Sequence, residues 1–258
     1  MITNTWQTPS HVGEARVVEL RQYALVPGSR STLIELFQQE LIEPQEAAGM
    51  VIGGIFIDLE DPNNFVWLRG FPSMDARRRA LECFYDGPVW KAHKDAANAT
   101  MVNSDNVLLL HATRPEHPLA PPQGKRADVG SPNVVRDRIE ITIYEHRADE
   151  DLTNWLSTDV HAHLERCLGV SVATWRTNPA PNTFPQLPVR DDNVFVWTAA
   201  FRDETSWQEA ERRLSEDPVW ADEIQPILSK QIERRQQLHL EPTGRSHHQL
   251  HRPGNQGT

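Results

Sequence analysis

Phe65-Val66-Trp67 recurs as Phe195-Val196-Trp197, and Pro88-Val89-Trp90 recurs as Pro218-Val219-Trp220, both at an offset of 130 residues. Leu108, Leu110 and Thr113 match Leu238, Leu240 and Thr243 at the same offset. A repeat at fixed period has to be settled first, because it decides the architecture. Upstream, Glu19-Leu20-Arg21-Gln22-Tyr23 pairs with Glu140-Ile141-Thr142-Ile143-Tyr144 at an offset of 121, so the second copy carries nine extra residues. They fall around Pro179, Pro181, Pro185 and Pro188, where the first copy has only Glu60-Asp61-Pro62-Asn63-Asn64. The chain therefore divides into a flexible N-terminus (1–15), a first repeat (16–113), a proline-rich linker (114–133), a second repeat (134–243) and a disordered tail (244–258).

Each copy reads strand, helix, strand, strand, helix, strand. Val17 to Leu25 is rich in strand formers and stops at the Pro27-Gly28 turn. Leu33, Phe37 and Leu41 mark a helix that ends near Pro44 and Gly49. Val51 to Asp58 and Phe65 to Phe71 make a hairpin, and Ser73 caps a helix through Leu81 and Phe84. Pro88 opens a third helix with Trp90, His93, Ala97 and Met101 on one stripe, before a strand over Val107 to Ala112. In copy two the strands are Arg138 to Tyr144, Val170 to Trp175 and Val194 to Phe201. The helices run over Leu152 to Cys167 and around Trp207, Ala210 and Leu214, with a last helix kinked at Pro226.

The βαββαβ order is the ferredoxin-like α+β unit, with helices on one sheet face and the other bare. Alternation puts Val18, Leu20, Val66 and Leu68 on one face and Glu19, Arg21, Tyr23, Phe65, Trp67, Arg69 and Phe71 on the other. The aliphatic set is expected under the helices. The aromatic face, too apolar for water, is expected to meet its counterpart in copy two, giving an intrachain dimeric α+β barrel from tandem repeats.

Glu19-Leu20-Arg21-Gln22-Tyr23 running into Leu25-Val26-Pro27-Gly28, followed by Trp67, Phe71 and Asp86-Gly87-Pro88-Val89-Trp90, resembles the NIPSNAP family of the dimeric α/β-barrel superfamily. The resemblance covers Val17 to Thr113 well and Arg138 to Thr243 less closely, since Thr142 replaces Arg21 and the Pro-Gly turn is missing. It implies two tandem copies in one chain. It also implies a superfamily of cofactor-free monooxygenases, isomerases, haem-dependent enzymes and plain ligand binders, among which fold alone does not choose.

With 258 residues, 38% hydrophobic and 24% charged, the composition is that of a globular protein. A net charge of -10, with neither half basic, excludes a duplex binder. Cys83 and Cys167 stand far apart and no apolar run approaches the roughly 20 residues of a membrane span, so a cytoplasmic protein without membrane partner is expected. Metal and phosphate motifs are missing, so no metal or cofactor is expected.

The chemistry-bearing residues cluster in copy one. Glu19, Arg21, Trp67, Arg69, Tyr85, Trp90 and His111 are candidate ligand-binding residues, and Tyr23 and His93 candidate catalytic groups. Arg21 and Arg69 would hold an anion, since a buried guanidinium must be paired or ligand-directed. Trp67 and Trp90 would cover an apolar body, and Tyr23 with His93 would move a proton. The plain alternatives are a structural ion pair, packing tryptophans, a surface His93, a rim His111 and a core His163.

The leading expectation is a protein that binds a small aromatic or apolar ligand bearing a carbonyl or acidic group. A non-catalytic interaction or scaffold protein is the alternative, and a haem-binding protein or haem enzyme using His93 the lesser one. Whether the chain is an enzyme is left open; if it is, cofactor-independent oxygenase or isomerase-type chemistry is expected. Association into a homodimer is also left open. Copy two has Thr142, Ala199, Glu223 and Glu241 where copy one has Arg21, Arg69, His93 and His111, so one ligand site per chain is expected. The Pro179 to Pro188 loop is either a disordered insertion or a cover for that site.

Overall fold

Eight antiparallel strands close into a barrel in the order β1-β3-β2-β8-β5-β7-β6-β4. They are β1 Val17–Leu25, β2 Val51–Asp58, β3 Asn64–Phe71, β4 Met101–Ala112, β5 Arg138–His146, β6 Val172–Thr177, β7 Val194–Phe201 and β8 Ile232–Pro242. The structure, a computed structural model, describes residues 15–114, 126–131 and 136–247. Each repeat contributes four strands, and two short seams join them. Phe56, Ile57 and Asp58 pair with Pro242, Glu241 and Leu240, and Leu110, His111 and Ala112 pair with Thr177, Arg176 and Trp175.

The aliphatic face lines the barrel interior, opposite to the sequence expectation. Val18, Leu20, Val66, Leu68, Leu108 and Leu110 interdigitate with Ile139, Ile141, Ile143, Val196, Leu238 and Leu240 in one buried core. The aromatic and charged face lies outside the barrel, beneath the helices. Strand parity was assigned correctly and its destination was not. The interior admits Phe56 and Trp175 beside its aliphatic residues, so size does not sort the faces; what does is that the charged and polar neighbours of Trp67 need the partners that a helix layer supplies.

In the first half that layer consists of α1 (Arg30–Leu36), a π-helical turn (Phe37–Leu41), α2 (Ile42–Ala47), α3 (Met74–Tyr85) and α4 (Pro88–Asn98). Ser73 caps α3 through a bond from the Ala76 amide, as its sequence suggests. The second half has α5 (Glu150–Trp155), a π-helical turn (Leu156–Val160), α6 (His161–Leu168), α7 (Glu204–Glu216), a third π-helical turn (Trp220–Ile224) and α8 (Gln225–Gln231). Two boundaries differ from expectation: Met101 starts β4 instead of ending a helical stripe, and β6 begins at Val172. Pro226 lies inside a continuous helical run over residues 218–231, directly after the π-helical turn Trp220–Ile224.

Two segments expected to be loose are packed. Residues 178–193 cross from the second half onto the first. Asn178 and Arg190 donate backbone bonds to Leu109 and Val107, and Phe184, Leu187 and Val189 join the first-half aromatic cluster. This strap is an ordered wall, not a disordered insertion. The tail expectation fails at its start: Arg245 is buried, donates to the Ala127 carbonyl at 2.8 Å and pairs with Glu43, while Ser246 accepts from the Ile55 amide. Its charge and hydroxyl are used up in packing. Ala15 is likewise buried, while residues 1–14 and 248–258 lie outside the described residues. Among the described residues, no helix is long and apolar enough to cross a membrane.

Candidate functional site

The outer face of the first half centres on one carboxylate. Glu19 on β1 is fully buried. Its Oε2 accepts from Arg21 Nη1 at 2.6 Å and from Arg69 Nε at 2.7 Å, and its Oε1 accepts from Arg77 Nε at 2.6 Å. Burial alone would push the Glu19 carboxyl up, yet Arg69, Arg21 and Arg77 together hold it far below the ordinary range. Three guanidiniums share one carboxylate, and their remaining partners are neutral. Arg69 Nη1 faces Gln45 and the Tyr85 hydroxyl, and Arg77 Nη1 donates to Asn182 of the strap at 2.9 Å.

Arg21 links this cluster to a pocket. Its Nε donates to the Tyr23 hydroxyl at 2.7 Å, and its guanidinium lies 5.6 Å from the centre of the Trp67 ring. Burial raises the Tyr23 pKa in spite of Arg21, so the phenol keeps its proton. The pocket has a volume of about 90 Å3, with Arg21, Tyr23, Gln45, Asn98 and Ser104 as polar groups and Phe37, Trp67, Phe84, Tyr85 and Trp90 as aromatic walls. The first π-helical turn contributes Phe37 and Leu41, and the strap contributes Leu187. Phe37 meets Trp67 edge-on at 4.8 Å, and Phe184 of the strap stacks on Tyr85 at 5.8 Å.

Arg21, Tyr23, Trp67, Tyr85 and Trp90 thus come together around one pocket, with Glu19 and Arg69 directly behind it. His93 does not line the pocket: it faces Glu40 at 3.5 Å on the solvent side of α4. His111 is separated too. It accepts from Arg176 Nε at 2.9 Å in a polar cavity of about 230 Å3 at the seam, where burial and Arg176 lower its pKa. The lone histidine that a haem reading needs is therefore away from the aromatic pocket, and these residues do not fit an axially ligated haem there.

Sequence reasoning missed Arg77, Gln45, Phe37 and the strap residues. Arg77 had a signal: it shares the buried stripe of α3 with Ala80, Leu81 and Phe84. A charge on an apolar stripe needs a partner.

The second half keeps the carboxylate and the aromatic residues Tyr144, Trp197 and Trp220, but not the arginines. Glu140 is buried against Arg138 Nε at 2.6 Å and His239 Nδ1 at 2.6 Å. Burial raises the Glu140 pKa, and the contact with Glu140 raises that of His239. A cavity of about 190 Å3 beside Tyr144 and Trp220 has Arg234 and Arg235 in its lining, both exposed. His163, as expected, is a core residue. With Cys167 and Asp217 it forms a compact trio, but Arg166 donates to its Nδ1, which leaves the Nε2 proton facing Asp217 at 2.8 Å. That nitrogen is not free to take a metal.

Residues 18–114 match the NIPSNAP family model. A comparison with curated proteins returns no match. Among solved structures, an anthrone oxidase-like protein aligns over 90% of this chain and 93% of its own, with a TM-score of 0.59 and 11% identity. A presumptive monooxygenase from Fusobacterium nucleatum subsp. nucleatum aligns over 89% and 93%, with a TM-score of 0.56 and 8% identity. A mutant chlorite dismutase from Candidatus Nitrospira defluvii aligns over 90% and 92%, with a TM-score of 0.50 and 11% identity. At such identities the likeness concerns the fold, and it spans both halves. Residues 18–114 are a NIPSNAP domain, the first of two ferredoxin-like halves that close one dimeric α/β barrel within this chain.

Proposed function

We propose that the first half binds a small aromatic or apolar molecule bearing a carbonyl or acidic group, with that group against Arg21 and Tyr23. The observation that carries this is the polar end of the pocket, a guanidinium in surplus over its only carboxylate beside a phenol whose proton is free to donate. Tyr23 accepts from Arg21, so its own hydrogen can point at a ligand oxygen. The pair would hold a carboxylate, and would equally stabilise an enolate or phenolate forming from a carbonyl. Among the described residues, no Asp, Glu or His lines the pocket. This supports binding and oxyanion stabilisation and gives His93 no part in proton transfer.

A thermal-shift panel of small aromatic carboxylic acids and quinones tests the proposal. Saturable stabilisation by at least one aromatic acid is expected, weakened roughly 10- to 100-fold in Arg21→Met, as for loss of a hydrogen bond to a charged group. Tyr23→Phe should weaken it less. Silence across the panel would overturn the proposal.

A further inference from the structure

We propose that Arg69 and Arg77 hold a small monovalent anion, of the charge and size of a halide, in a site beneath the strap that is separate from the ligand pocket. The cluster contains Glu19, Arg21, Arg69 and Arg77, all buried, and so carries two more positive charges than negative ones. Arg21 turns toward the pocket, where a ligand anion would meet it. Arg69 and Arg77 do not line the pocket, and their charge has no such outlet.

Both arginines spend Nε on Glu19. In a guanidinium, Nε–H and Nη2–H lie along one edge, so each Nη2 sits beside the same carboxylate. Neither Arg69 Nη2 nor Arg77 Nη2 meets an acceptor among the described residues, and both atoms are buried. The Nη1 atoms are already directed at neutral groups, Gln45 and Tyr85 for Arg69, Asn182 and Thr183 for Arg77. Buried donors without acceptors and buried charge without counter-charge are each costly, and one small anion beside Glu19 relieves both. The site is also closed. Asn182 and Thr183 belong to the strap, Thr183 further donates to the Met74 carbonyl at 3.2 Å, and Phe184 stacks on Tyr85 next door. A spherical ion accepts from N–H groups in any direction and so suits two guanidinium edges that converge on one place.

The site does not depend on the proposed ligand, and the test keeps the two apart. Crystals of the full chain grown in sodium bromide, measured at the bromine absorption edge, should show an anomalous peak within hydrogen-bonding reach of Arg69 Nη2 and Arg77 Nη2. In solution, replacing gluconate by chloride at constant ionic strength should raise the unfolding midpoint saturably, on the order of 3 °C. That response should vanish in Arg77→Met, which leaves Glu19 two guanidinium partners, and should persist in Arg21→Met, the variant expected to lose the aromatic acid. Water or a side chain at the two donors would overturn the proposal. So would a chloride response unchanged in Arg77→Met, or a bromide peak without any solution response, which would mean an adventitious ion only. If Arg77→Met does not fold, the diffraction result on the native chain decides.

Discussion

Glu19 and Glu140 occupy matching positions on β1 and β5, and both are buried, yet one faces three guanidiniums and the other a guanidinium and an imidazole. Both halves carry the same carboxylate, but its surroundings form an ionised, electropositive cluster in one half and a titratable pair in the other. Copy two has Thr142, Ala199 and Trp207 at the places of Arg21, Arg69 and Arg77, so the positive charge that could hold a ligand anion is concentrated in the first half. The second half contributes the strap that walls the pocket and half of the barrel interior.

That contrast can be broken in graded ways. The largest effect should come from separating the halves. Residues 15–114 expressed alone would expose an inner face of Val18, Leu20, Val66, Leu68, Leu108 and Leu110, and should show no cooperative monomeric unfolding by calorimetry. Next, Glu19→Gln strands three buried guanidiniums and should cost about 3–5 kcal/mol in denaturant titrations. Glu140→Gln should cost less, about 1–2 kcal/mol, because its partners Arg138 and His239 are partly exposed and Arg138 keeps Glu204. Equal losses at the two sites would erase the distinction. Phe184→Ala in the strap should cost about 3 kcal/mol and weaken any ligand of the first half.

The two clusters should also respond oppositely to pH. The His239 pKa is raised in the folded chain from 6.5, so its contribution is complete below that value and is lost as pH rises through the folded pKa. Glu19 is held low, so its contribution is present above its unfolded pKa and is lost only in strong acid. NMR titration should place the His239 imidazole midpoint above 6.5 and return it toward 6.5 in Glu140→Gln. The smallest effect belongs to His93→Ala. With His93 31% exposed and facing an exposed Glu40, the change should stay within about 0.5 kcal/mol and leave ligand binding untouched.

The repeat was legible because large, rare residues mark it: Trp67 and Trp197, Trp90 and Trp220 fix the register of both copies. Alternation correctly grouped Glu19, Arg21, Tyr23, Trp67 and Arg69, but parity does not say which face closes inward when both are apolar. The π-helical turns were invisible, since Leu33, Phe37 and Leu41 keep ordinary helical spacing through the extra residue. Arg77 was passed over because Leu81 and Phe84 sufficed to define its helix. In the proline-rich loop, Phe184 and Leu187 were the residues that distinguish a packed strap from a loose insertion, and the prolines drew attention from them.

Titration calorimetry with the aromatic acid that gives the strongest thermal shift tests the central contrast most directly. One site per chain is expected, abolished or weakened at least roughly 10-fold by Arg21→Met in the first half and unchanged by Arg235→Met beside the corresponding second-half cavity. Two equivalent sites per chain, or affinity that survives Arg21→Met, would contradict the assignment of the site to the first half.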